Sequence, residues 1–421
     1  MAAALKDTRG RKVDPKKLVE ERAKPAASGP RRWKFPAIAG GLTPTRLAAI
    51  LKKADEGDLT DLLSLAYEIE RRDSHVGAQI RTRKLAVAGL PWIVEAATDN
   101  ALDIEIADDL QALVNSHLFS QLVMDLLDAV LKPYAVCEIL WQTGERWTPS
   151  GFEWRDQRSF AISPDDGRTL LLKTIENPKG EDLEPWKYII HAPRQFSGPI
   201  TGSGLVRPLS VMYSVKTLGV SAWAGYTEIF GFPWRIGKYA KGATPEDIEV
   251  LAEAVQSIGQ QGAAVLSEET NIDIKTATGS STAVHKQLVE WCDAQTSKAI
   301  VGQTLTADTG GGSYAQGKVH EGVRRTLLAS DAIELAATIQ RDLIAPYVLI
   351  NWGEAVACPR LRCIVDEPED RKSFVDTLAP LIDRGLRVEQ SVVRDRVGLP
   401  APADDQSVEI LHPMGKIPVA S

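Results

Sequence analysis

Between Gly204 and Gly231 the chain carries apolar residues at Leu205, Leu209, Met212, Tyr213, Val220, Trp223, Tyr226 and Phe230. That spacing predicts one uninterrupted helix of about seven turns, roughly 39 Å at 1.5 Å per residue. Pro208 is tolerable because it falls in the first turn. Lys216 and Glu228 argue against a membrane span, so the helix must find its apolar partners in protein, other subunits included. A chain with such a helix cannot be a simple sandwich or barrel. Its other elements must be arranged around a long rod.

The flanking segments add an alternation of helical and extended character. Thr43-Pro44 reads as an N-cap and first helical residue before Leu47, Ile50 and Leu51. Helical stretches follow over 59–70 and 77–88, a strand over 92–96, and helical periodicity across Ile104 to Val114 and Leu122 to Leu131. From Tyr134 to His191 short strands alternate with Pro-, Gly- and Asp-rich turns. Trp141, Trp147, Trp154 and Trp186 cluster there and are expected to pack a small sheet rather than to stack on bases. Beyond Phe232 an α/β insert runs to about Ser281, with a strand over 234–239, a helix opened by Thr244-Pro245-Glu246-Asp247, and strands over 263–266 and 272–276. A long helix over 283–301, a glycine-rich loop and a third long helix ending at Pro346 come next. One strand over 361–365 and two short helices complete the chain.

Hydrophobic residues make up 44% and charged residues 25% of the 421 positions, an ordinary globular balance. The net charge of −7 disfavours binding of nucleic acid over the whole surface. It is unevenly spread: residues 1–35 hold eleven Lys and Arg against four acids, so the remainder carries −14. The first segment reads as a flexible basic arm that does not fold alone and could dock on an acidic neighbour or on nucleic acid. Four cysteines at wide spacing are no disulfide scaffold, and no apolar run reaches membrane-span length. With no signal-peptide core at the start, a cytosolic chain is expected.

Chemistry-bearing motifs are near misses. Gly312-Ser313-Tyr314-Ala315-Gln316-Gly317-Lys318-Val319 almost spells a phosphate-binding loop, but Val319 replaces the hydroxyl residue that would bind magnesium, and the run follows a helix instead of a strand. Gly202-Ser203-Gly204 lacks the third glycine of a dinucleotide fingerprint. Cys358 and Cys363 have no metal-site spacing, His320-Glu321 lacks the second histidine of a zinc helix, and no nucleophile elbow is present. His75 beside Asp73 fits a helix tether better than a general base. No active site, metal or cofactor is expected.

Several runs, in order, carry a resemblance. Gly41-Leu42-Thr43-Pro44 and Arg46-Leu47 lead to Asp55, Gly57 and Asp58; Glu70-Arg71-Arg72-Asp73-Ser74-His75 precedes Thr82-Arg83-Lys84-Leu85-Ala86-Val87, Gly89-Leu90 and Trp92. Later come Phe230-Gly231-Phe232-Pro233, Arg235-Ile236-Gly237-Lys238-Tyr239 and Ser297-Lys298-Ala299-Ile300-Val301-Gly302-Gln303-Thr304-Leu305-Thr306. The glycines 310–312, Val319-His320-Glu321 and Asp366-Glu367-Pro368-Glu369-Asp370 close the series. Over residues 38–412 the chain resembles the portal proteins of Mu-like tailed bacteriophages and prophages.

That resemblance implies an α+β portal fold. A basic arm (1–35) would precede the wing (36–204), a first stem helix (205–231), the clip (232–282) and a second stem helix (283–301). A tunnel loop (302–317), a long helix with a wing return strand (318–366) and a small helical crown or tail (367–421) would follow. It implies a non-enzymatic, dodecameric ring at one capsid vertex, assembled in the bacterial host cytoplasm and carried in the virion. The ring would pass double-stranded DNA in packaging and ejection, with no membrane contact. Partners would be other copies, DNA, a large terminase, then head-completion or tail-connector proteins, with the major capsid protein and a scaffold around the vertex. Gln303, Thr304, Thr306, Asp308, Thr309, Gly310, Gly311, Gly312 and Ser313 would line the tunnel. Lys318, Arg324 and Arg325 are candidates for phosphate contact or inter-subunit salt bridges, and Lys238, Lys241 and Glu246 for clip docking. The alternatives are a minor head or scaffold-interacting protein that closes no ring, and a nucleotide-dependent enzyme using the 312–319 loop.

Overall fold

The computed structural model describes residues 6–7, 10–23, 42–230, 235–257, 263–267, 269–270, 281–303, 314–365, 371–383 and 393. The chain divides into two units, Met1–Ile364 and Val365–Ser421.

Capping chemistry sets most helix starts. After the short α1 (Pro15–Val19), α2 (Pro44–Asp55) opens with Thr43 Oγ1 accepting from the Arg46 N–H at 3.2 Å. The next helix, α3 (Thr60–Arg72), is buried all round between Leu62 and Ile69. Asp73 then ends α3 and caps α4 (Ser74–Ala88), its carboxylate accepting from the N–H groups of His75 and Val76 at 3.0 and 3.2 Å. Gly77 is required there, since a Cβ would stand 2.6 Å from the Glu70 carbonyl oxygen. Strand β1 (Trp92–Glu95), α5 (Ala101–Val114) and α6 (His117–Leu126) follow, with Asn100 and Ser116 as N-caps.

The mixed region builds two three-stranded sheets. β2 (Ala135–Gln142), β3 (Thr148–Arg155), β4 (Phe160–Ile162), β5 (Leu170–Leu172), β6 (Glu181–Asp182) and β7 (Tyr188–His191) pair antiparallel in the orders β3-β2-β7 and β4-β5-β6. Two of the four tryptophans make ring contacts in this packing: Trp141 stacks on Tyr347 with ring centroids 6.5 Å apart, and Trp154 meets Tyr67 edge-on at 6.2 Å. The long rod is α7 (Val206–Phe230). β8 (Arg235–Tyr239), α8 (Pro245–Ser257) and β9 (Ala263–Ser267) form a β-α-β unit whose strands pair in parallel. The predicted strand 272–276 lies outside the described residues. α9 (Ser281–Val301) returns along α7, and α10 (Tyr314–Ile339) follows. The predicted stop at Pro346 is corrected: a π turn over Gln340–Ile344 carries the helix into α11 (Ala345–Trp352). Pro346 has no N–H to give, and the wider turn places it at the start of a new α register, where none is needed. β10 (Arg360–Cys363) then pairs antiparallel with β1, Trp92 opposite Cys363. In the second unit the described helix is α12 (Arg371–Asp383), with Pro380 inside it.

The arm expected to be flexible is not free over residues 10–23. Leu18 is fully buried, Val13 and Ala23 nearly so, and α1 lies against β2. The reason is Glu138, fully buried in the central strand, whose carboxylate accepts the backbone N–H groups of Arg22 (2.5 Å) and Ala23 (3.0 Å).

A charged cluster sits inside the helical half. Lys132, 1% exposed, donates to Asp128 at 2.6 Å and Glu70 at 3.2 Å, and its Nζ lies 4.0 Å from the Tyr67 ring centre. Lys84 joins the same two carboxylates at 2.9 and 3.2 Å, and Gln157 donates to Asp128 at 2.8 Å and accepts from the Tyr67 hydroxyl. Burial alone would raise the Asp128 pKa, but the two ammonium groups outweigh it and hold the carboxyl well below the usual range. A depressed carboxyl stabilises the fold above its unfolded pKa near ~4, and that contribution drains away as pH falls below it. Lys132→Met should cost about 3 kcal/mol at pH 7 and flatten the acid limb of the stability–pH curve, read by denaturant melts. A variant as stable as the parent at both pH 7 and pH 3 would show the cluster to be energetically idle.

Candidate functional site

The long helices are bolted to the α3–α4 corner by charge. Lys216 of α7 reaches across to Asp73 at 2.9 and 3.0 Å and to Asp293 of α9 at 2.6 Å. Burial would lower the Lys216 pKa, but its hydrogen bonds to Asp293 and Asp73 outweigh that and raise it, so it stays charged. Farther along the pair, Gly219 lets α9 close in: a Cβ there would lie 2.9 Å from Leu288 Cδ2. Tyr226 faces His285 at 6.1 Å between ring centres. These meetings, 216 with 293, 219 with 288 and 226 with 285, define an antiparallel helical pair. His75 Nε2 shares a hydrogen bond of 2.7 Å with Ser297 Oγ, completing the tie to α9.

Arg83 of α4 ties the last turn of α9 to the body of α10. Its guanidinium grips Asp331 of α10 through two bonds, 2.7 and 2.8 Å, and donates a third at 2.7 Å to the Ile300 carbonyl in the last turn of α9. Gly302 ends α9 at φ +75°, a left-handed position, and a Cβ there would come within 2.7 Å of Val323 Cγ1 on α10. Gln303 follows, buried, and its Oε1 has no hydrogen-bond partner among the described residues. Thr304, Thr306, Asp308, Thr309, Gly310, Gly311, Gly312 and Ser313 lie outside the described residues. Tyr314 onward is helix, so the Gly317-Lys318-Val319 end of the near-phosphate loop lies in the opening turns of α10. Lys318 belongs to that helical backbone. Arg324 is exposed and Arg325 half-buried, both on α10. Arg324 also lines a cavity of about 40 Å³ with Thr82, Arg83, Ala86, Val301, Leu327 and Leu328.

The β-α-β unit at the other end of the pair displays the remaining candidates. Lys238, Lys241 and Glu246 are all exposed, and Lys241 pairs with Glu269 at 3.0 Å. Thr244 and Asp247 cap α8 reciprocally, each side chain accepting the other's backbone N–H at 3.2 and 3.1 Å. Gly237 is buried beneath α8, where a Cβ would meet Val255 at 2.9 Å. Among the described residues no group of three or more His, Cys, Asp or Glu could hold a metal ion, and no helix is long and apolar enough to cross a membrane. The structure thus brings Gln303 and the α10 arginines to one end of the long pair and the three insert residues to the other. Arg83, Asp331 and Asp293 were absent from the sequence-based candidates, because ion pairs between distant segments leave no local spacing to detect.

Arg83 and Asp331 are each 10% exposed in their side chains, so removing one strands the other. Arg83→Leu should cost about 3–5 kcal/mol in chemical denaturation, and the double variant Arg83→Leu/Asp331→Leu should recover most of the loss. A double-variant cost equal to the sum of the two single-variant costs would show that the pair does not couple the helices.

A family model described as "Portal protein of Mu bacteriophage" matches residues 63–399. The portal protein of Escherichia phage Mu is 31% identical over 383 residues, 89% of this chain and 74% of that protein. The Mu-like prophage FluMu protein gp29 of Haemophilus influenzae is 30% identical over 382 residues, 88% of this chain and 73% of its own length. Among solved structures, a chain in the virion of a native gene transfer agent particle superposes with a TM-score of 0.52 at 16% identity, covering 81% of this chain and 94% of that one. A chain in the neck of the native particle, computed with C12 symmetry, gives 0.50 at 15% identity, covering 84% and 100%. With its α+β fold of portal type, the chain belongs to the family of Mu-type phage portal proteins.

Proposed function

We propose that copies of this chain close into a ring, a dodecamer, at one vertex of a capsid, and that double-stranded DNA passes through it during packaging and ejection. The observation that carries this reading is an apolar face the chain leaves uncovered on its long helical pair. On α7, Val211 and Leu218 are 41% and 51% exposed; on α9, Val284 and Trp291 are 62% and 49% exposed. Each pair is seven residues apart, hence on one line of its helix. Given the antiparallel register, both lines fall on the same side of the helical pair. Exposed apolar side chains along a rod are costly in water, and identical rods side by side bury them at no further cost in design. The C12 symmetry of the gene transfer agent neck supports the twelvefold count.

DNA passage calls for weak contact. Duplex DNA presents a phosphate about every 1.7 Å of axis, so a wall rich in Lys and Arg would hold it fast. Outside the arm this chain carries −14, and repulsion within a Debye length of about 8–10 Å would centre the duplex. The 303–313 loop, short-chained and glycine-bearing, is assigned the tunnel constriction, with Lys318, Arg324 and Arg325 as limited phosphate contacts or inter-subunit pairs. Lys238, Lys241 and Glu246 form the docking tip for a large terminase, later replaced by head-completion or tail-connector proteins. The capsid protein and scaffold would meet the outer body, in the host cytoplasm, before the particle is complete. The chain itself performs no chemistry in this scheme; the ATPase is the terminase.

Two experiments test the scheme. Leu218→Glu with Trp291→Glu should convert rings into folded monomers, read by analytical ultracentrifugation with circular dichroism of the same sample. Rings that survive both charges would overturn the assignment of the face. Deleting 304–313 should leave rings intact while DNA packaging in vitro falls at least tenfold, and normal packaging would remove the loop from the channel.

A further inference from the structure

Residues 10–23 lie outside the matched family region, 63–399, yet they are held by a purpose-built set of partners. Glu138 is fully buried in β2, the middle strand of its sheet, and its two oxygens accept the consecutive backbone N–H groups of Arg22 and Ala23. Arg155, from the adjacent β3, holds Glu138 at 2.8 Å and reaches Glu21 at 2.6 Å. On the other side of β2, the fully buried Lys187 lies 3.6 Å from Glu138 and donates to the Leu18 carbonyl at 2.5 Å. Lys17 pairs with Glu184 at 3.0 Å, Arg22 with Glu181 at 3.7 Å, and Arg11 donates to the Leu183 carbonyl at 3.3 Å. Leu18 is the most deeply buried apolar residue of the segment, with Val13 and Ala23 nearly buried beside it.

Three properties make this a ligand-like contact rather than a core element. The contacts named above end on 138, 155 and 187 in and beside one sheet and on 181, 183 and 184 in and just after β6 of the other. Recognition combines three backbone contacts, those of Arg22, Ala23 and Leu18, with side-chain pairs and a buried Leu18 and Val13, as when a carboxylate and neighbouring cations capture a peptide. Its five-residue helix cannot persist by itself, so the segment orders on docking. The eighteen residues between Ala23 and Leu42 could span at most roughly 60 Å, enough to reach a neighbouring copy.

We propose that this sheet carries a peptide-recognition groove whose ligand is residues 10–23, separable from the body, so that the strap of one copy can fill the groove of another. Docking in trans would join copies without new surface, since the groove contacts are the same and only the connecting segment changes course. The proposal rests on the ring only for the supply of neighbouring copies.

The test uses the full chain with a protease site inserted between Ser28 and Gly29. After cleavage the strap fragment should co-elute with the body and be displaced by excess fluorescent peptide of residues 6–23. The same peptide bearing Leu18→Asp should bind at least about tenfold more weakly, and Glu138→Gln in the body should weaken the unaltered peptide by a similar factor. The Leu18→Asp peptide keeps the test decisive if the Glu138→Gln body misfolds. A fragment that never exchanges, or equal binding of the two peptides, overturns the groove. Mixing the cleaved body with uncleaved Glu138→Gln chain labelled at Lys12 should transfer label into a shared complex. Peptide binding without such transfer overturns docking between copies and leaves the ring reading untouched. Peptide capture that persists when the Leu218→Glu/Trp291→Glu test finds no change in the ring removes only the face assigned there.

Discussion

Asp73 stands where α3 ends, α4 begins and the long pair α7–α9 arrives, and the layout of the portal chain depends on its carboxylate. The same group caps α4 through two backbone N–H groups and binds the Lys216 ammonium, which Asp293 holds from the opposite side. A half-buried ammonium between two carboxylates is stable only in that geometry, because each partner compensates the desolvation of the others. The two long helices therefore leave the helical body at a set place and register. Ten residues on from Asp73, Arg83 applies the same logic to the far end of α9 and to α10. One short helix, α4, thus carries both anchor points.

Placing charges at these junctions has a consequence for how firmly the helices keep their register. Apolar packing would hold the helices equally well but tolerates sliding by a turn, whereas a bidentate guanidinium–carboxylate contact does not. Glycines complete the arrangement where backbones must approach: Gly219 between the long helices and Gly302 at the turn into the loop. On the outer side of the pair Val211, Leu218, Val284 and Trp291 remain exposed within one chain.

Much of this was legible beforehand. Thr43-Pro44 and Thr244-Pro245-Glu246-Asp247 announced helix starts, because capping is local chemistry read within four residues. The 204–231 periodicity announced the long rod, and the ordered runs from Gly41 to Asp370 pointed to the portal family. Pro346 misled, because proline alone does not reveal a preceding π turn that relieves it. The arm was legible only as a basic segment that does not fold alone. Its composition favours disorder, but composition is blind to a carboxylate waiting in a strand more than a hundred positions away.

The sequence by itself determined most of the helices and strands between Thr43 and Cys363, that no stretch is apolar enough for a membrane helix, and which family the chain joins. These follow from spacing, capping and composition, all interactions within a few residues. Only the tertiary structure decided that Arg83 meets Asp331 across 248 positions, that Lys216 bridges Asp73 and Asp293, and that Glu138 clasps the strap. Long-range ion pairs obey distance in space, and a chain's local pattern carries no measure of that distance.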